Sequence, residues 1–270
     1  MIDKLYSLHR IFTMKFLFLF LAFLSFGAAL YFFFYSKMIK STDKVQFLID
    51  SQTQEILNND TDHYYQTFHK TDFKVRKSKN LKDYLAKISK SGCDGTEENK
   101  EKILACIKKI ETKLQNSRND VAEGVHIGKM LDLKWIIGFT CDKYYENGLP
   151  HTRGDVILLN NKDLQRRNID ETCKLLIHEK VHVYQKTYSE DFSQSIQESF
   201  ERVDSSKVSK SIPANPDTDN YIYKRKDDGK WLKSKYNKNP KHFRDIQFPD
   251  GDHTLEHPYE SVAYSLENLY

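Results

Sequence analysis

The sequence lacks any Gly-x-Ser-x-Gly stretch or comparable Cys motif, which removes the usual nucleophile elbows. Its four cysteines never fall in the Cys-x-x-Cys spacing of a zinc ribbon. Internal repeats are absent, and so are low-complexity tracts apart from one apolar run. No block of one charge sign occurs either: 42 Lys and Arg against 38 Asp and Glu are scattered along 270 residues, for a net charge of +4. A surface that tracks phosphates needs clustered cations, so nucleic acid is not an expected partner. What is present suits one globular domain plus an appendage.

The appendage is FLFLFLAFLSFGAALYFFFY, residues 16–35, twenty residues without a charge. As a helix it would span roughly 30 Å, the hydrocarbon thickness of a bilayer. Lys15 and Lys37 bracket it, and Tyr31 and Tyr35 lie where aromatics favour the membrane interface. A cleaved signal peptide starting at Met14 competes, with small residues at Gly27, Ala28 and Ala29. The run continues through six aromatic-rich residues beyond them, so a retained anchor in the lipid bilayer is expected, preceded by a short tail at 1–15. Flanking cations nearly tie: Lys4, Arg10 and Lys15 before, Lys37, Lys40 and Lys44 after. Cys93, Cys106, Cys141 and Cys173 all follow the anchor and permit two disulfides or four buried thiols, a slight lean towards a lumenal or outer C-terminal domain. The sequon Asn59-Asp60-Thr61 is usable only on such a face.

An α+β fold is expected behind the anchor. Residues 43–58, 79–90 and 97–117 carry helix-like apolar spacing, giving a helical stalk or N-terminal subdomain over 36–125. After Gly124 the pattern changes: LKWIIGFT (133–140) and GDVILLN (154–160) predict strands around the turn-rich YENGLPHTRG. Asn168 three residues before Glu171 predicts a capping box for the next helix. SEDFSQSIQESFERV (189–203) reads as a further helix, YIYKRKDDGKWL (221–232) as a hairpin about Asp227-Asp228-Gly229, and HPYESVAYSLENLY (257–270) as a helix with Pro258 at its first position.

Chemistry concentrates in LLIHEKVHVYQ, residues 175–185. On a helix, His178 and His182 share one face, so both rings can reach one metal ion. Glu179 is rotated by about 100° from His178, which lets its carboxylate serve as general base to a water beside that metal without being a ligand. Chance supplies such a coincidence in roughly 2% of chains of this composition. Burying two imidazoles and a carboxylate in an apolar helix is costly unless they bind something. A third ligand must come from a later segment. EHPYESVAY offers Glu256, His257 and Glu260; Glu260 is best placed, in the first turn of a helix with the small Ala263 one turn on.

HEKVH followed by a downstream Glu-x-x-Ala resembles the gluzincin branch of the zincin metallopeptidases. HPYESVAY is similar to the Asn-Pro-x-Glu-x-x-Ala-Tyr segment of small zincin-like domains, with His257 in the Asn position. Tyr184 to Ser195 contains neither Gly nor His, which excludes the metzincin layout. The resemblance covers 126–270 and implies a zincin-like catalytic domain with one Zn2+ ion on His178, His182 and Glu260, and Glu179 as base. It further implies a peptide or protein substrate, paired to an edge strand for which GDVILLN is in the right place. An oxyanion donor is needed, with His257, Tyr264, Tyr223 and His151 as candidates. His63, His69, His242 and His253 have no partner at ligand spacing, and Asp252, His253 and Glu256 read as a solvated acidic turn. The competing expectation is a zincin-like membrane protein without peptidase activity, serving binding or assembly.

Overall fold

A computed structural model describes residues 44–117, 122–203, 212–219 and 221–268. The expected tail and anchor, 1–35, lie outside the described residues. Among those described, no helix is long and apolar enough to cross a membrane.

The described chain is mixed α+β. Its first part comprises β1 (Val45–Phe47), α1 (Asp50–Asn58), α2 (Lys70–Val75), α3 (Leu81–Ile88), β2 (Gly92–Cys93), α4 (Glu97–Gln115) and α5 (Ile127–Asp132). Then come β3 (Trp135–Thr140), β4 (His151–Arg153), β5 (Val156–Asn160), α6 (Asn161–Arg166), α7 (Ile169–Thr187) and α8 (Ser189–Ser195). The remainder is β6 (Phe200–Val203), β7 (Ile222–Arg225), β8 (Trp231–Leu232), β9 (Lys235–Tyr236), β10 (Ile246–Gln247) and α9 (Pro258–Glu267).

The main sheet runs β1-β3-β5-β4, with β2 also paired to β3. β3 and β5 are parallel, registering Ile136 with Val156 through Thr140 with Asn160, and β4 is antiparallel to β5. Strands buried on both faces read as continuous apolar runs, as VILLN does. Val156 and Leu158 join a core of Leu57, Tyr65 and Tyr84, while the alternate residues Ile157 and Leu159 turn to the opposite face. Gly138 is required where α1 crosses β3: a Cβ there would stand 2.8 Å from Leu158 and 3.2 Å from Thr53.

Four expectations are corrected. Residues 45–47 form a strand rather than the start of a helix, because pairing beside β3 outweighs local spacing. GDVILLN is an interior strand; the edge beside it is β4. Residues 189–203 split into α8 and β6, whose FERV alternation pairs with β7. The boundary at 125/126 falls inside one compact unit, Gln46–Tyr270. β2 joins β3, α4 packs on α7, and disulfides Cys93–Cys141 and Cys106–Cys173 cross that boundary, so the preceding segment is not a separate stalk. By loop entropy each bridge contributes roughly 4 kcal/mol.

Candidate metal centre

The centre begins with the cap of α7. Asn168 Oδ1 accepts from Glu171 N at 2.9 Å, and Glu171 Oε2 accepts from Asn168 N at 2.9 Å, the reciprocal box the sequence predicts. From Leu176 to Gln185 every residue of the helix is buried. One polar member is satisfied by backbone: Lys180 Nζ donates to the carbonyls of Leu133 and Lys134, both at 2.7 Å. His178, Glu179 and His182 are 8%, 3% and 1% exposed.

Glu260 comes from α9, which packs against α7. Pro258 is at the helix start as predicted, and His257 caps it by accepting from Tyr259 N at 3.2 Å. Glu260 Oε2 stands 3.3 Å from His178 Nε2 and 3.6 Å from His182 Nε2, and the two Nε2 atoms are 3.0 Å apart. Donors about 2.0–2.1 Å from a tetrahedral cation lie about 3.3–3.4 Å from one another, so this triangle has metal-site dimensions. Two Nε2 lone pairs facing each other repel unless a proton or a cation lies between them. Among the described residues, no other three His, Cys, Asp or Glu side chains converge in this way.

Neighbours hold each donor. Asn215 Nδ2 donates to Glu260 Oε1 at 3.0 Å, leaving Oε2 to face the rings. Gln185 Oε1 lies 2.8 Å from His182 Nδ1, and its amide donates to Tyr259 O at 3.0 Å, tying α7 to α9. With Gln185 as acceptor, His182 carries its proton on Nδ1 and offers Nε2 inward. Glu267 Oε2 stands 3.2 Å from His178 Nδ1, close enough to attract although its alignment is not that of a hydrogen bond.

The electrostatics favour a cation. Burial alone would lower both histidines, but Glu260 and Glu267 at His178, and Asp217 and Glu260 at His182, outweigh it and raise them. Burial would raise Glu260, and the two imidazoles instead hold it well below its ordinary range. Glu179 is pushed up to about 8, by burial first and then by the Asp217 carboxylate. Its Oε2 is buried with no hydrogen-bond partner. An orphaned carboxylate oxygen beside three converging donors fits a site built for a cation and a polar guest.

The site opens onto a cleft of about 440 Å³ lined by His178, Glu179 and Glu260. Of the oxyanion candidates, His151 and Tyr264 line it; both ring nitrogens of His151 are engaged, by Leu149 O and Tyr145 OH at 3.0 Å, and the Tyr264 ring packs 4.6 Å from that of His178. His257 and Tyr223 do not line the cleft, and both bond to Asp219, at 3.0 and 2.6 Å. In the Asp252–Glu256 turn, Asp252 caps Thr254 and Glu256 accepts from Ser234.

Sequence reasoning missed Asn215, Asp217 and Gln185. Gln185, three residues after His182 on the same face, was legible; PANPD (213–217) showed only a helix breaker. Asp217 accepts from Thr152 N at 2.8 Å and Thr152 Oγ1 at 2.6 Å, and Lys186 Nζ donates to Thr152 O at 2.7 Å. The outward peptide groups of β4 are therefore occupied at Thr152, and an extended peptide cannot pair with the edge there. In comparisons with known proteins, no family model, curated protein or solved structure matches this chain.

Proposed function

We propose that this chain is a membrane-anchored, zinc-dependent hydrolase of peptide bonds with a zincin-like catalytic domain. The observation that carries it is the convergence of two imidazoles and a carboxylate beside the unpartnered Glu179, open to a cleft. His178, His182 and Glu260 form a hard-to-borderline N2O donor set with room for a fourth position, the composition of catalytic zinc sites. Zinc bound there supplies a Lewis acid that polarises a carbonyl and lowers the pKa of a water.

The chain's own groups do the rest. Glu179 takes the proton of the attacking water at its unpartnered Oε2 and passes it to the leaving amine. Asn215 and Gln185 keep Glu260 and His182 aimed inward. Two disulfides support an oxidising compartment, hence a domain on the lumenal or outer side of a membrane held by residues 16–35.

The covered edge at Thr152 favours a second reading, metal binding without peptidase activity. Proteomic comparison of cleavage products made by the active protein and by Glu179→Gln separates the two. New termini with the first and none with the second are expected of a peptidase; identical product sets would reject the proposed base.

A further inference from the structure

Most charged groups around the cleft are committed. Glu171 closes the cap of α7, Glu256 accepts from Ser234, and Asp217 holds Thr152 and Lys186. Among the cations, Arg76 is paired with Glu146, and Arg167 with Asp163 at 2.8 Å. Lys174 and Arg244 also line the cleft and make no hydrogen bond or ion pair among the described residues. Lys174 is half-buried and lies four residues before His178, on the same face of α7.

From this we infer that the cleft selects substrates carrying a carboxylate one or two residues beyond the cleaved bond, received by Lys174, with Arg244 as a second cation of the same cleft. The inference rests on the hydrolase reading above and names the substrate class of that site. Four residues of helix advance about 6 Å along the axis, and one to two residues of extended chain cover about 3.5–7 Å. A carbonyl held at His178 and His182 therefore places such a carboxylate within reach of the Lys174 ammonium. β4 leaves little for the substrate backbone at Thr152, so recognition falls to end groups and side chains. The carboxylate could be a C-terminus or an Asp or Glu side chain; both present the same chemistry.

The test uses the full-length protein and three matched peptides: a free C-terminal acid, its amide, and the amide with Glu in place of Gln one or two residues beyond the scissile bond. Cleavage is measured with wild type and Lys174→Met, and binding by calorimetry with Glu179→Gln. The free acid, or the amide carrying Glu, should exceed the Gln amide by about tenfold to a hundredfold in kcat/KM and in affinity, the worth of a charge-assisted hydrogen bond. That ratio should fall towards one in Lys174→Met. Rescue of the amide by Glu identifies a side-chain carboxylate as the source; no rescue identifies the C-terminus. Equal cleavage and equal binding of all three peptides would overturn the inference and leave the hydrolase reading standing. Absence of cleavage with the acid still preferred in binding would overturn hydrolysis and keep the carboxylate site.

Discussion

Two buried charged clusters face the same cleft, and they differ in completeness. Around Arg76 every strong donor has an acceptor: Nε and Nη2 reach Glu146 at 2.9 and 2.7 Å, Nη2 also reaches Tyr64 OH at 2.8 Å, and Nη1 reaches Asp72 O at 3.3 Å. Asp72 in turn accepts from Tyr236 OH at 2.9 Å and Ala214 N at 3.0 Å. Around the histidines Gln185 and Asn215 hold His182 and Glu260, yet His178 Nδ1 and Glu179 Oε2 have no hydrogen-bond partner and two Nε2 atoms face each other. A closed network is a structural clamp; an open one, with donors aimed at a common point, is a binding site.

The largest expected effect breaks the closed cluster. Glu146, Asn147 and Gly148 are consecutive left-handed residues, with φ of 42°, 53° and 74°, held beside the Arg76 guanidinium. Arg76→Met strands the Glu146 carboxylate and should cost about 3–5 kcal/mol in denaturant unfolding, with metal content unchanged. Loss of metal in that variant would show that the two clusters are one.

Next in size, Asn215→Ala frees Glu260 Oε1 and should weaken metal affinity about 10- to 100-fold in a chelator competition, with little change in unfolding of the metal-free protein. An unaltered affinity would assign Asn215 to packing alone.

The smallest effect is a pH dependence. Burial would raise Glu146, but the charge and hydrogen bonds of Arg76 win and hold it below its ordinary 4.5. A lowered carboxyl pKa stabilises the fold above the unfolded value and loses that contribution as pH falls through the folded one. Unfolding free energy of wild type should therefore fall on acidification below about pH 4.5 more steeply than that of Arg76→Met/Glu146→Gln. Parallel curves would deny the pair its role.

What the sequence disclosed divides along range. The Asn168–Glu171 box, Pro258 at its helix start and the hairpin around Gly229 are local and were legible, as were His178 and His182 at one helical turn. β1 was not, because Val45 to Phe47 read equally as a helical stripe until β3 supplies a pairing edge. Neither was the covering of β4: Asp217 meets Thr152 across 65 residues, and no local pattern marks that contact. Asn215 reaches Glu260 across 45 residues and was equally silent.

Metal content of the purified full-length protein decides whether His178, His182 and Glu260 hold a cation. About one equivalent of zinc is expected in wild type and in Glu179→Gln, with loss of it in His178→Ala and His182→Ala. Less than about a tenth of an equivalent in wild type, unchanged by His178→Ala, would contradict it.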